Sequence, residues 1–150
     1  MTGTRMHPGK RAPQLSDAIL LAMAIVVCAT GEISMGAQPV VVLSGAQQVP
    51  PVKTHASGRS TIAIHDDRSV TGGVVTSGMR AGMAHIHLGS AGTNGPAIVA
   101  LRKVSANHFE VPAGTQLTEA EYKSFKAGDL YVNVHSAAHK GGEIRAQLEP

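Results

Sequence analysis

Leu130-Tyr-Val-Asn-Val-His135 and Glu143-Ile-Arg-Ala-Gln-Leu148 decide the fold. In extended chain, successive side chains point to opposite faces. Leu130, Val132 and Val134 therefore oppose Tyr131, Asn133 and His135, and Ile144, Ala146 and Leu148 oppose Glu143, Arg145 and Gln147. Each segment has one apolar and one polar face, the pattern of a half-buried antiparallel pair. Ser136-Ala-Ala-His-Lys-Gly-Gly142 between them is of hairpin length.

Upstream segments extend the same reading. Val40 to Leu43 is a short β-branched run stopped by Ser44-Gly45, an edge or first strand. Pro50-Pro51 lack ladder donors and exclude a central strand there. Gly58 to His65 alternates, Asp66-Asp67 turns, and Ser69 to Thr76 returns as a hairpin partner, with a bulge expected at Gly72-Gly73. Ala84-His-Ile-His-Leu88 is a further strand, followed by the turn-rich loop Gly89 to Pro96. Ala97 to Leu101 is continuously apolar and is expected to be central or buried on both faces. One helix is expected, over 119–127. Thr118 and Glu121 have capping-box spacing, and Gly128 stands where a left-handed C-terminal residue is wanted. The expected class is all-β, an antiparallel Greek-key-like sandwich or barrel with this one short helix.

A different chemistry precedes the domain. Arg5, Lys10 and Arg11 lie ahead of Ala18 to Ala29, an uncharged run of 12 residues. That is the pattern of a secretory signal peptide, and it is short of the roughly 20 residues a spanning helix needs. The reading is a leader over 1–36, cut somewhere between 31 and 37, and a domain over 37–150. Export to the periplasm or the exterior follows, without stable membrane insertion. Cys28, the only cysteine, lies in the apolar run and leaves with it. The mature domain then has neither a disulfide nor a cysteine nucleophile or ligand.

From Ala37 onward there are 10 basic and 8 acidic residues, with no basic cluster and only four aromatic rings. A nucleic-acid platform needs a basic stripe and stacking rings, so that class of partner is excluded. No Ser-His-Asp order, paired carboxylates or phosphate loop points to hydrolysis or phosphoryl transfer.

The segments resemble the CHRD family, the domain repeated in chordin and found singly in many bacterial exported proteins. Three blocks carry the likeness in order: Leu43-Ser-Gly-Ala-Gln-Gln-Val-Pro-Pro51, Ala84-His-Ile-His-Leu-Gly-Ser-Ala-Gly-Thr-Asn-Gly-Pro96, and Asp129 to His135 with Gly141 to Gln147. Gln48 replaces the family's usual Glu. The resemblance implies an all-β exported domain and no settled activity. Chordin's growth-factor antagonism is not carried over, because this chain lacks the accompanying cysteine-rich modules.

Histidines dominate the candidate site. Residues two apart on a strand share a face about 6–7 Å apart, so His85 and His87 can reach one ion if the strand bends. His135 ends another strand, and His139 lies in the loop beyond it. Imidazole-only sites suit copper(II) or zinc(II). The competing reading has these rings bracing loops, with Asn94 and the loop glycines as partners of the pair and Glu143 as a partner of His135. Arg145 and Glu143 have the period to share a face, together with His135 if the registers match; they either steer anions to a metal or hold the sheet and loop together. His55, His65 and His108 read as surface residues. Three functions remain open: a binding module with a copper or zinc site, a copper-dependent redox enzyme of the superoxide dismutase kind, and a metal-free interaction domain with a protein partner.

Overall fold

The computed structural model describes residues 1–3 and 40–150; Cys28, the expected cut and the rest of the expected leader lie outside the described residues. The decisive pair forms as expected. Strand β10 (Leu130–Ser136) pairs antiparallel with β11 (Ile144–Gln147), and Val132 faces Ala146. On its other side β10 pairs with β6 (Ala81–Leu88), placing His85 opposite Asn133 and His87 opposite Tyr131. β1 (Val41–Ser44) lies between β11 and β2 (Ser57–Ser60), so it is the first strand but not an edge.

The hairpin read from Gly58 to Thr76 pairs as expected but is broken in two. Its outer arms are β2 and β5 (Gly73–Ser77), and its tip is a separate ladder of β3 (Ala63–Ile64) with β4 (Val70–Thr71). The break falls at Gly72, where φ is +93°. A side chain there would put Cβ 2.2 Å from the Thr61 carbonyl oxygen, so glycine is required for the two arms to approach.

Beyond β5 come two short strands that alternation did not reveal, β9 (His108–Glu110) and β8 (Arg102–Lys103). The nine-stranded order is β7-β6-β10-β11-β1-β2-β5-β9-β8, with β7 spanning Ala97–Ala100. β7 and β8 are consecutive in the chain. One extended segment therefore supplies both ends of the sheet, pairing first with β6 and then with β9. Leu101, between them, buries its side chain, and its N–H donates to the Ala84 carbonyl at 2.9 Å. The sheet thereby curls into a nearly closed barrel. The expectation that Ala97 to Leu101 is central is overturned: its side chains before Leu101 are exposed or half-buried, because β7 terminates the sheet.

Leu43, Val74, Ile86, Phe109, Leu130 and Ile144 are fully buried in the barrel. The helix α1 (Glu119–Lys126) carries the predicted capping box, and Phe125 joins the core. Tyr122 donates its hydroxyl to Asp66 at 3.0 Å, tying the helix to the β3–β4 turn.

A second expectation fails in an informative way. All seven residues of β10 are buried, not only its apolar half. The polar face of β10 and β11 is roofed by three loops: carbonyls of 89–95 and 137–143 accept from Arg145, Gln147 and Asn133, and Gln48 of 45–52 donates to Asn133.

Candidate metal centre

The roofed face holds His85 and His87 from β6 and Tyr131, Asn133 and His135 from β10, placed on one side by the antiparallel register. The β6–β7 ladder shifts register between Ile86 and His87. Such irregularities re-aim side chains. The ring centroids of His85 and His135 are 5.0 Å apart, those of His85 and His87 5.7 Å, and those of His87 and His135 5.9 Å. One nitrogen from each of the three lies within 4.8 Å of the others.

Backbone carbonyls fix the tautomers. A carbonyl only accepts, so His87 donates from Nδ1 to Gly95 O at 2.9 Å and His135 donates from Nδ1 to Lys140 O at 2.9 Å. Each neutral ring then has its lone pair at Nε2. In the His135 ring, Nε2 accepts from Nδ1 of His85 at 3.2 Å. In the His87 ring, Nε2 is buried and no protein group bonds to it. Leaving such an acceptor unsatisfied costs about 1–3 kcal/mol.

The surroundings favour the neutral form of His85 and His87. Burial is the main cause holding His85 below the ordinary histidine range, and the neighbouring His135 and His87 add to it. Burial likewise lowers His87; the Gly95 hydrogen bond opposes this, and His135 and Arg145 reinforce it. Neutral imidazole is the form that ligates metals.

Two ligands held about 2.0–2.1 Å from a tetrahedral ion stand about 3.3 Å apart. The His85–His135 nitrogen pair is already at 3.2 Å, and no carbonyl fixes the His85 tautomer, so moving its proton to Nε2 frees Nδ1 as a ligand. The residues therefore fit an ion after a small movement of His87. Carbonyls on the far nitrogens of two rings are also the usual outer support of a metal-binding histidine.

The other expected site residues have different roles. The half-buried His139 is outside the cluster. Its backbone closes the 136–142 turn, accepting from Ser136 N and Gly142 N. It borders a separate surface cavity of about 290 Å³ with Pro50 and Asn94. Asn94 does not serve the histidines either: it donates to Val49 O at 2.7 Å and links two roof loops. Glu143 accepts from the Thr54 hydroxyl at 2.7 Å rather than from His135.

Arg145 is committed to partners within the protein. Its buried guanidinium donates to Thr93 O at 2.7 Å, Ser90 O at 3.1 Å and Gln147 Oε1 at 3.2 Å. Its Cζ lies 3.4 Å from the centroid of Tyr131, whose ring also stacks on His87 at 4.8 Å. Arg145 thus pins the 89–95 loop that presents Gly95 to His87.

Sequence reasoning passed over Tyr131, Asn133 and Gln48 as parts of the site, whereas the loop glycines were expected as partners of the His85–His87 pair and Gly95 is the one that bonds His87. Gln48 donates to Asn133 at 2.7 Å beneath the roof. Tyr131 and Asn133 share the two-residue period of His135, and that was the available signal. That position 95 must be glycine arises only from the fold: a Cβ there would lie 1.7 Å from Leu88 O.

Among the described residues, no helix is long and apolar enough to cross a membrane. No curated protein and no solved structure matches the chain. The CHRD domain family model matches residues 40–148, which takes in all eleven strands of the described residues and the metal-fitting histidines, and the chain belongs to that family.

Proposed function

We propose that this chain is an exported CHRD-domain binding module whose ligand is a transition-metal cation, copper or zinc, held by His85, His87 and His135. One observation carries the reading: Nε2 of His87 is buried and unbonded, on a ring that brings a nitrogen within 4.8 Å of nitrogens of two other imidazoles. Loop bracing alone accounts for the Nδ1 bonds to Gly95 and Lys140. It leaves that Nε2 without a purpose, whereas a cation would satisfy it. Export is supported by the basic start and 12-residue apolar run of the leader.

Elemental metal analysis of the purified protein tests the proposal, after loading with copper and zinc in turn and desalting. Wild type is expected to retain about one ion per chain, and His85→Ala/His87→Ala none. Equal and negligible metal in both proteins overturns the proposal and leaves the histidines as loop braces.

A further inference from the structure

Met83 lies on β6 two residues before His85, and its Cα partner on β10 is His135. Paired residues of an antiparallel ladder share a face, with Cβ atoms about 4.5–5.5 Å apart, and residues two apart along a strand do likewise. The thioether therefore rises from the same face as the three imidazoles, next to both His85 and His135. Met83 is 52 % exposed, one of the few large apolar side chains left in water, while its neighbours on the other face of β6, Ala84 and Ile86, are buried. No packing role holds it there, and an unbranched side chain with three rotatable bonds can swing over the cluster.

We infer that Met83 is a fourth ligand of the histidine site and makes it selective for copper, above all copper(I). The inference rests on the three-histidine reading above. Thioether sulfur is a soft donor that favours copper(I) and contributes little to zinc(II), for which imidazole alone suffices. Three imidazoles supply three of four positions, and the half-exposed side of His85 leaves the fourth open toward Met83. The ion would be capped at the solvent side by the thioether and supported at the protein side by the carbonyls of Gly95 and Lys140. Binding of this kind needs no redox step in the protein: copper(I) arrives and leaves as such.

The test compares wild type, Met83→Leu and His87→Ala. Copper(I) affinity is measured anaerobically by competition with a chromophoric copper(I) chelator, zinc(II) affinity by a zinc chelator, and the metal's ligands by X-ray absorption. Leucine keeps the size and exposure of Met83, so the fold is expected to be unaffected. Met83→Leu is expected to lower copper(I) affinity by roughly tenfold or more and remove a sulfur neighbour from the copper, with zinc(II) affinity unchanged. His87→Ala is expected to weaken both metals. If Met83→Leu binds copper(I) like wild type, with no sulfur seen in either, the methionine assignment is wrong while the histidine site stands. If wild type binds neither metal, both readings fall together.

Discussion

His87 uses its two ring nitrogens for two tasks, and Gly95 makes the division possible. The Gly95 carbonyl takes the Nδ1 proton, which leaves Nε2 as the buried, unbonded lone-pair end. A methyl group at position 95 would meet the Leu88 carbonyl at 1.7 Å, a backbone atom that cannot swing aside. Gly95→Ala is therefore expected to displace the loop and destabilise the domain by about 2–4 kcal/mol, as read by urea denaturation. Metal retention should fall with it. Arg145 is the second residue on which the roof depends. A lysine there keeps the charge but not the planar fork that reaches Thr93, Ser90 and Gln147 together. Arg145→Lys is expected to cost about 2–3 kcal/mol and to speed amide hydrogen exchange across 89–95 before the rest of the barrel. Unchanged exchange in that loop would show that the guanidinium does not hold it.

At the scale of elements, the short helix shows how far local chemistry reaches. The Thr118 hydroxyl accepts from Glu121 N at 3.2 Å, and the Glu121 carboxylate accepts from Thr118 N at 2.7 Å. Thr118→Ala removes the first of these and is expected to lower stability by about 1 kcal/mol in the same denaturation measurement. That box was legible in the sequence because both partners lie within one turn. The β10–β11 pair was legible for a similar reason, since alternation over six residues identifies a strand wherever it ends up. β8 and β9 were not, because two or three residues carry no period. The apolar run Ala97 to Ala100 misled, because hydrophobicity reports burial in general and says nothing about position in the sheet order. The site divides along the same line. His85, His87 and His135 could be grouped from strand period and chain order, but excluding His139 required the conformation of a turn, which no spacing encodes.

For the whole molecule, the half-buried, neutral histidines link stability to pH. His85 and His87 both titrate below their ordinary range when folded, chiefly because burial disfavours the imidazolium. An unfolded chain takes up these protons as pH falls through about 6.5, whereas the folded chain resists them. The unfolded state then binds more protons, so stability is fully present above that range and is lost as pH falls toward the lowered folded values. Metal-free wild type is expected to show a urea midpoint that declines between about pH 7 and 5. His85→Asn/His87→Asn should show a flatter profile, and parallel profiles would remove the two rings as the cause.

The segment 97–103 has a consequence of another kind. It gives its first half to β6 and its second half to β9, so the unpaired lengths at the two ends of the sheet are only four and two residues. Long open strand edges invite other chains to add on, the route to amyloid and to strand-donating partners. This barrel offers little such docking length. Whatever protein meets it must engage side chains and loops, and a concentrated stock of it should resist templated fibre growth.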